Sequence, residues 1–367
     1  MDHGPHRAPD LQVFVKAAAV FAALPAITLL AAADIPDTRA IDALFAGYNA
    51  ANVPGASVAV VHRGRIVYRR GFGRANLEEN TPASDATNYR LASVTKQFTA
   101  MAAMLLVKDG RLKLDDRAAA VLRDLPAYAK EVRIRHLLNH TSGLPDYEKL
   151  MPEGQTEQVK DADVLKLLKT ANAMLFDPGS KFQYSNSGYA VLALVIEAVS
   201  GRGFAQFLKA RIFDPLRMSG TVAFEEGVSV LTNRAYGYTP EGPGFKRTDQ
   251  SPTSAVLGDG GIYSSITDLV RWDEALTFGK LLTPDLYEQV FTPSSLDGGT
   301  KTNYGFGWYI DTYKGALRYR HTGTTVGFRN VIHRFPKERF SVIILSNRSD
   351  ARPEEIAARI ADLTLFR

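Results

Sequence analysis

The chain has 367 residues, 45% of them hydrophobic and 23% charged, an ordinary globular composition long enough for a large core and two lobes. The net charge is +5, but the 44 lysines and arginines are scattered rather than clustered, so a nucleic-acid footprint is not expected. There is no cysteine, which excludes disulfides, a thiol nucleophile, a lipid-bearing cysteine and cysteine-ligated zinc.

In chain order, Lys16 is followed by an uncharged apolar run over 17–33 that closes on Ala31-Ala32-Ala33. A basic flank, an apolar run and small residues predict a secretory signal at 1–33, cleaved near Ala33/Asp34, and a periplasmic or secreted mature chain, 34–367. Contact with a membrane is expected only through this segment, were it left uncleaved. Ile41, Leu44, Phe45 and Tyr48 recur at helical spacing. Ala56–Val61 and Arg65–Tyr68 flank Arg63-Gly64 as a hairpin. Ser93–Asp109 is the strongest helical pattern, with Phe98, Met101, Leu105 and Leu106 on one face and Gly110 as its stop. Further helices are expected near 161–170, 189–200, 204–212 and 265–276. Tyr304–Ile310, Ala316–Arg320, Gly327–Phe335 and Phe340–Leu345 read as four strands. A last helix starts near Pro353, with Ile356, Ala357, Ile360 and Leu363 on one face. The predicted fold class is therefore α+β. An antiparallel sheet from both chain ends (about 34–90 and 260–367) is flanked by the terminal helices. A mainly helical lobe, about 91–259, is inserted, and the site is expected where the lobes meet.

Three short motifs carry chemistry. Ser93-Val94-Thr95-Lys96 opens the strongest helix, and residues three apart share a helix face, so the Lys96 amine can reach the Ser93 hydroxyl. The helix dipole and burial both disfavour the ammonium, and a neutral lysine can take the serine proton. Tyr184-Ser185-Asn186 precedes a helix. Tyr184 is placed to pass a proton to a leaving group, and Asn186 to bind Lys96 and a substrate amide. His321-Thr322-Gly323 ends a strand whose edge can hold an extended acyl substrate, with the small Gly323 allowing close approach. The N–H of Thr324, with that of Ser93, would form an oxyanion hole.

The order and context of these motifs follow the logic of penicillin-recognising enzymes. Longer stretches sharpen the likeness: Tyr89–Lys96 (YRLASVTK), Ile134–Tyr147 (IRHLLNHTSGLPDY), Pro178–Tyr189 (PGSKFQYSNSGY) and Gly260–Ser264 (GGIYS). Across roughly Ile41–Leu345 the chain resembles the serine β-lactamase class C family, which also holds D-alanyl-D-alanine carboxypeptidases, D-amino-acid peptidases and esterases. The resemblance implies a β-lactamase/transpeptidase-like fold, an acyl-enzyme on Ser93, Lys96 and Tyr184 as the acid–base pair, and neither metal nor cofactor. One departure matters: class C β-lactamases carry lysine in the third motif, where this chain has His321. A histidine is mostly neutral near pH 7 and cannot dock a carboxylate as a permanent cation. Arg320 alternates to the opposite face from His321, which leaves Arg329 as the expected source of the missing charge.

The expected substrates are D-Ala-type peptides or small carboxyl esters and amides, ahead of penicillins and cephalosporins. A non-catalytic penicillin-binding or sensor protein is the reading from another class. His136 and His140 have a helical zinc spacing but no acidic residue between them at the required place, so no metal site is expected. Gly258-Asp259-Gly260-Gly261 lacks the lysine and hydroxyl of a phosphate loop and is expected to give backbone access beside the active-site strand.

Overall fold

The computed structural model describes residues 1–4, 37–50 and 52–367; residues 5–33 of the expected signal, including its apolar run, lie outside the described residues. The main sheet has six strands: β1 (Ala56–His62), β2 (Arg65–Phe72), β3 (Tyr309–Tyr313), β4 (Ala316–Thr325), β5 (Phe328–Phe335) and β6 (Phe340–Ser346). Their order is β3-β4-β5-β6-β1-β2, with antiparallel neighbours throughout. Strand β1 pairs with β6 from Ala56 opposite Ser346 to His62 opposite Phe340, so both ends of the chain build one sheet.

The helices that matter for the site are α1 (Thr38–Leu44), α2 (Lys96–Lys108), α3 (Ile134–Leu138), α4 (Tyr147–Leu150), α5 (Asp161–Leu168), α6 (Asn186–Ser200), α7 (Leu257–Gly260), α8 (Ile266–Thr277) and α9 (Pro353–Thr364). One sheet face, through Val58, Val60, Val342 and Ile344, joins a core with Ile41 of α1 and Ala357 and Ile360 of α9. The other, through Ala59, Ile343 and Leu345, joins Leu269, Trp272 and Leu276 of α8. Burial on both faces is why β1 and β6 read as nearly unbroken apolar runs. Helix α8 is also tied to the sheet by a buried pair, Arg334 Nε to Asp273 Oδ1 at 2.6 Å.

Helix α2 is buried from Lys96 to Leu106. A helix buried on every side is a core helix, and α2 runs through the inserted lobe. A small three-stranded sheet knits that lobe to the rest, pairing Tyr89 with Ser264 and Val222 with Tyr263. It carries the chain straight into the Ser93 turn, where the Leu91 N–H donates to the Ile262 carbonyl at 2.8 Å.

Three differences from the expected bounds bear on the site. Helix α2 starts at Lys96, and Ser93 lies in a preceding 3₁₀ turn, Ala92–Thr95. The expected strand at Tyr304 begins only at Tyr309. There Gly307 takes φ +80°, and a Cβ on it would lie 2.9 Å from the Lys96 carbonyl, so the chain turns against α2 instead of extending. Strand β4 runs on to Thr325, which places His321-Thr322-Gly323 inside the strand rather than at its end.

Candidate active site

The Ser93 turn is strained and tightly packed. Ala92 has φ +48°, a left-handed conformation that non-glycine residues avoid. In the 3₁₀ turn that follows, residues three apart eclipse one another. Lys96 Nζ therefore meets Ser93 Oγ at 3.2 Å. Ser93 is half-buried, whereas Lys96 is fully buried.

The remaining partners of Lys96 decide its chemistry. Nζ donates to Asn186 Oδ1 at 2.8 Å and to the Asp259 carbonyl at 2.9 Å. Both oxygens only accept. A neutral amine that gives its two protons to them must turn its lone pair toward Ser93 Oγ, the geometry of a base. Burial pulls the Lys96 pKa down to about 8, against the opposing pull of Asp259 and Glu148. Most of the GDGG segment, Gly258 to Gly260, lies in α7, and its Asp259 carbonyl gives Lys96 an acceptor.

Asn186 is the first residue of α6, capped by the Ser185 hydroxyl, which accepts from Gly188 N–H at 3.1 Å. Its Nδ2 donates to Glu148 Oε1 at 2.9 Å. Lysine on one side and carboxylate on the other orient the amide. Glu148, an exposed residue of α4, is a site residue that the motifs do not announce.

The Tyr184 hydroxyl is buried and, among the described residues, finds no hydrogen bond of good geometry. The nearby Ser93 hydroxyl pulls its pKa down, but burial dominates and pushes it well up. Its phenol is therefore held in the neutral, protonated form. Lys96 Nζ lies 4.9 Å from the centre of its ring. His140 packs on the same ring at 4.2 Å. It also pins the loop: its carbonyl accepts from Gln183 N–H at 2.9 Å and its Nδ1 from Ser185 N–H at 3.1 Å. Helix α3 ends at Leu138 and His140 has φ +60°, so His136 and His140 share no helix face.

Strand β3 pairs with β4 only as far as Arg320. The next residues, His321 to Thr325, keep β5 as a partner and lie beyond the reach of β3, an edge along which a substrate chain can lie. Gly323 packs onto the Ser93 turn, where a Cβ would sit 2.0 Å from the Leu91 carbonyl. The close approach this glycine allows is thus that of β4 to the Ser93 turn. His321 is buried, with Nδ1 2.7 Å from the Thr322 carbonyl and Nε2 2.9 Å from the Tyr304 hydroxyl. The carbonyl can only accept, so Nδ1 carries the proton and Tyr304 donates to Nε2. Burial drops the His321 pKa to about 3, which keeps it neutral.

Arg329 does not take the place of a cation at position 321. It stands opposite Thr324 in the register, and both alternate with His321 and Gly323, so they share the other sheet face. Its guanidinium donates to the Thr325 and Phe328 carbonyls and lines a cavity of about 460 Å³ between β4 and the start of α9. Thr322 and Thr324 line that cavity too. Arg320 is committed to Asp311 and Glu354, each at 2.8 Å.

A family model described as Beta-lactamase matches residues 41–365. The chain belongs to this family. Penicillin-binding protein 4* of Bacillus subtilis (strain 168) is 32% identical, over 84% of this chain and 72% of the relative. D-aminopeptidase of Brucella anthropi is 30% identical over 85% of this chain but only 59% of the relative, so the chain spans about three fifths of that enzyme's length. Among solved structures, the octameric penicillin-binding protein homologue from Pyrococcus abyssi superposes with a TM-score of 0.77 at 29% identity, covering 90% of this chain and 78% of that one. The D-amino acid amidase from Ochrobactrum anthropi SV3 gives 0.77 at 25% identity, covering 89% and 97%. Membership makes the chain a serine hydrolase of the β-lactamase/transpeptidase-like α+β fold.

Proposed function

We propose that the chain cleaves small amides and esters through an acyl-enzyme on Ser93, and that its preferred substrates are D-amino-acid amides and short D-peptides with a free amino group. The observation that carries the chemistry is the anchoring of Lys96, whose two acceptor partners leave its lone pair for Ser93. In this reading Lys96 takes the Ser93 proton as Oγ attacks the substrate carbonyl. The N–H groups of Ser93 and Thr324 hold the oxyanion. Tyr184 gives its proton to the departing amine or alcohol and regains one from the Lys96 ammonium. Water then repeats the sequence on the acyl-enzyme, releasing the acid and restoring Ser93.

The substrate preference rests on charge. His321 is neutral, and Arg320 and Arg329 are held elsewhere, which counts against a carboxylate docked beside His321. Glu148 places a carboxylate beside Asn186, a fit for a substrate ammonium. The D-aminopeptidase and D-amino acid amidase relatives support the D configuration. A charged hydrogen bond of about 1.5–3 kcal/mol corresponds to roughly tenfold or more in specificity. The test is kcat/KM for D-alanine p-nitroanilide, its N-acetyl and L counterparts, a nitrophenyl ester and a chromogenic cephalosporin. The free D-amine is expected to exceed its N-acetyl form by about tenfold. A cephalosporin turned over fastest overturns the substrate assignment, and no turnover of any compound overturns the hydrolase reading.

A further inference from the structure

We propose that Asp259 is a positioning residue for the base: its carbonyl aims the Lys96 amine, and its buried carboxylate sets the pH at which that amine is free to act. The inference rests on the reading of Lys96 as the base.

The carbonyl half follows from how α7 is held. Asp161 accepts from the N–H groups of Leu257 at 2.9 Å and Gly258 at 3.0 Å. Thr99, one turn along from Lys96 on α2, donates to the Gly258 carbonyl at 2.7 Å. A Cβ on Gly258 would lie 2.4 Å from the Tyr189 carbonyl, so α7 sits hard against α6. Clamped between α2, α5 and α6, the Asp259 carbonyl has little freedom to leave Lys96 Nζ.

The side chain of the same residue turns to a different partner. Its Oδ2 accepts from the Tyr147 hydroxyl at 3.0 Å. Tyr147 is fixed in turn, its N–H donating to Ser187 Oγ at 2.8 Å. The arrangement holds an anion close to the amine without quenching it by direct contact. Lys96 is 0% and Asp259 6% exposed, so water screens the pair poorly and their charges couple strongly.

The other groups around the pair leave Asp259 as the main buried counter-charge. Glu148 on α4 also favours the ammonium, but it is exposed and screened by salt. His140 and His321 are buried and held neutral. The rings of Tyr184 and Tyr189 face Nζ at 4.9 and 5.5 Å, and burial keeps both phenols protonated. Arg90, bonded to Ser254 and the Gly260 carbonyl, favours the Asp259 carboxylate. Asp161 is tied to the backbone of α7, and burial raises its pKa to about 7. An anion next to a buried amine favours the ammonium, so Asp259 delays the loss of the Lys96 proton as pH rises.

The experiment is the pH profile of the acylation burst for the wild type and Asp259→Asn. Asparagine keeps the carbonyl and an acceptor for Tyr147 but removes the charge. The acid limb of the profile is expected to move down by about one pH unit. The plateau is expected to fall, because a less basic amine is a weaker base. The shift is expected to survive high salt, since the pair is buried. A limb that stays in place, or moves to higher pH, overturns the inference while a wild-type burst leaves the hydrolase reading intact. Absence of a wild-type burst removes both. Should Asp259→Asn lose its native melting transition, Asp259→Ser reads the same coupling. It keeps the backbone carbonyl and removes the charge, so the limb again moves down; an unmoved limb there overturns the inference as well.

Discussion

The chemistry proposed for this site turns on what Lys96 can and cannot donate to. Asn186 Oδ1 and the Asp259 carbonyl absorb both protons of the neutral amine, and the serine hydroxyl is what remains for its lone pair. In the proposed mechanism Tyr184 complements it, since burial keeps its phenol protonated. Gly323 serves the same geometry from β4, because a side chain there meets the Leu91 carbonyl, a backbone atom that cannot swing away. Gly323→Ala is expected to push the strand off the Ser93 turn and cut acylation about 100-fold, the scale of an ångström misplacement. A burst rate within a few-fold of wild type would show that the contact does not position the nucleophile. Ser93, Lys96, Tyr184, Asn186 and His321 were legible because each sits in a local string with its own chemical logic. Glu148, His140, Tyr304 and the Asp259 carbonyl were not, because their roles come from partners distant in the chain. Arg329 differs from its expected place for a related reason: its sheet face is set by pairing with Thr324 on β4, a register that its own sequence neighbours do not encode.

At the level of elements, the helices and the hairpin followed from periodicity, and the differences arise where tertiary packing overrides it. The apolar pattern of α2 begins at Ser93, but Ala92 at φ +48° and the turn after it delay the α-helix to Lys96. The delay helps the chemistry, since a 3₁₀ turn eclipses residues three apart. Tyr304 to Trp308 has strand composition, yet Gly305 and Gly307 let the backbone fold against its neighbours instead. That turn places Tyr304 beneath His321. The extension of β4 to Thr325 has no local signal either; β5 supplies it by pairing as far as Thr325 opposite Phe328.

For the whole molecule, joining the chain ends in one sheet, with the helical lobe between, sets the Ser93 turn against β4 and buries an unusual set of titratable groups. His140, His321 and His333 are buried and neutral, with His321 and His333 held near about 3 and His140 well below its ordinary value. In the unfolded chain each takes up a proton near pH 6.5. Burial raises Asp161 to about 7 and Asp259 to about 6, so these two bind protons in the folded state instead. His136, held at about 4 chiefly by burial, behaves like the other three histidines. Near pH 5 the unfolded chain therefore holds about two protons more than the folded chain, and stability falls with falling pH by about 2.7 kcal/mol per unit. The melting temperature is expected to drop by about 7 °C between pH 6.5 and 4.5, and a flat or rising value would contradict the balance. The claim on which everything else depends is covalent: Ser93 carries the acyl group. Intact-protein and peptide mass spectrometry after a brief exposure to a penicillin or an activated D-amino-acid ester tests it most directly. The expected result is one acyl group per molecule on the peptide containing Ser93, absent in Ser93→Ala and strongly slowed in Lys96→Ala. An adduct on another residue, or one that persists in Ser93→Ala, would contradict the account.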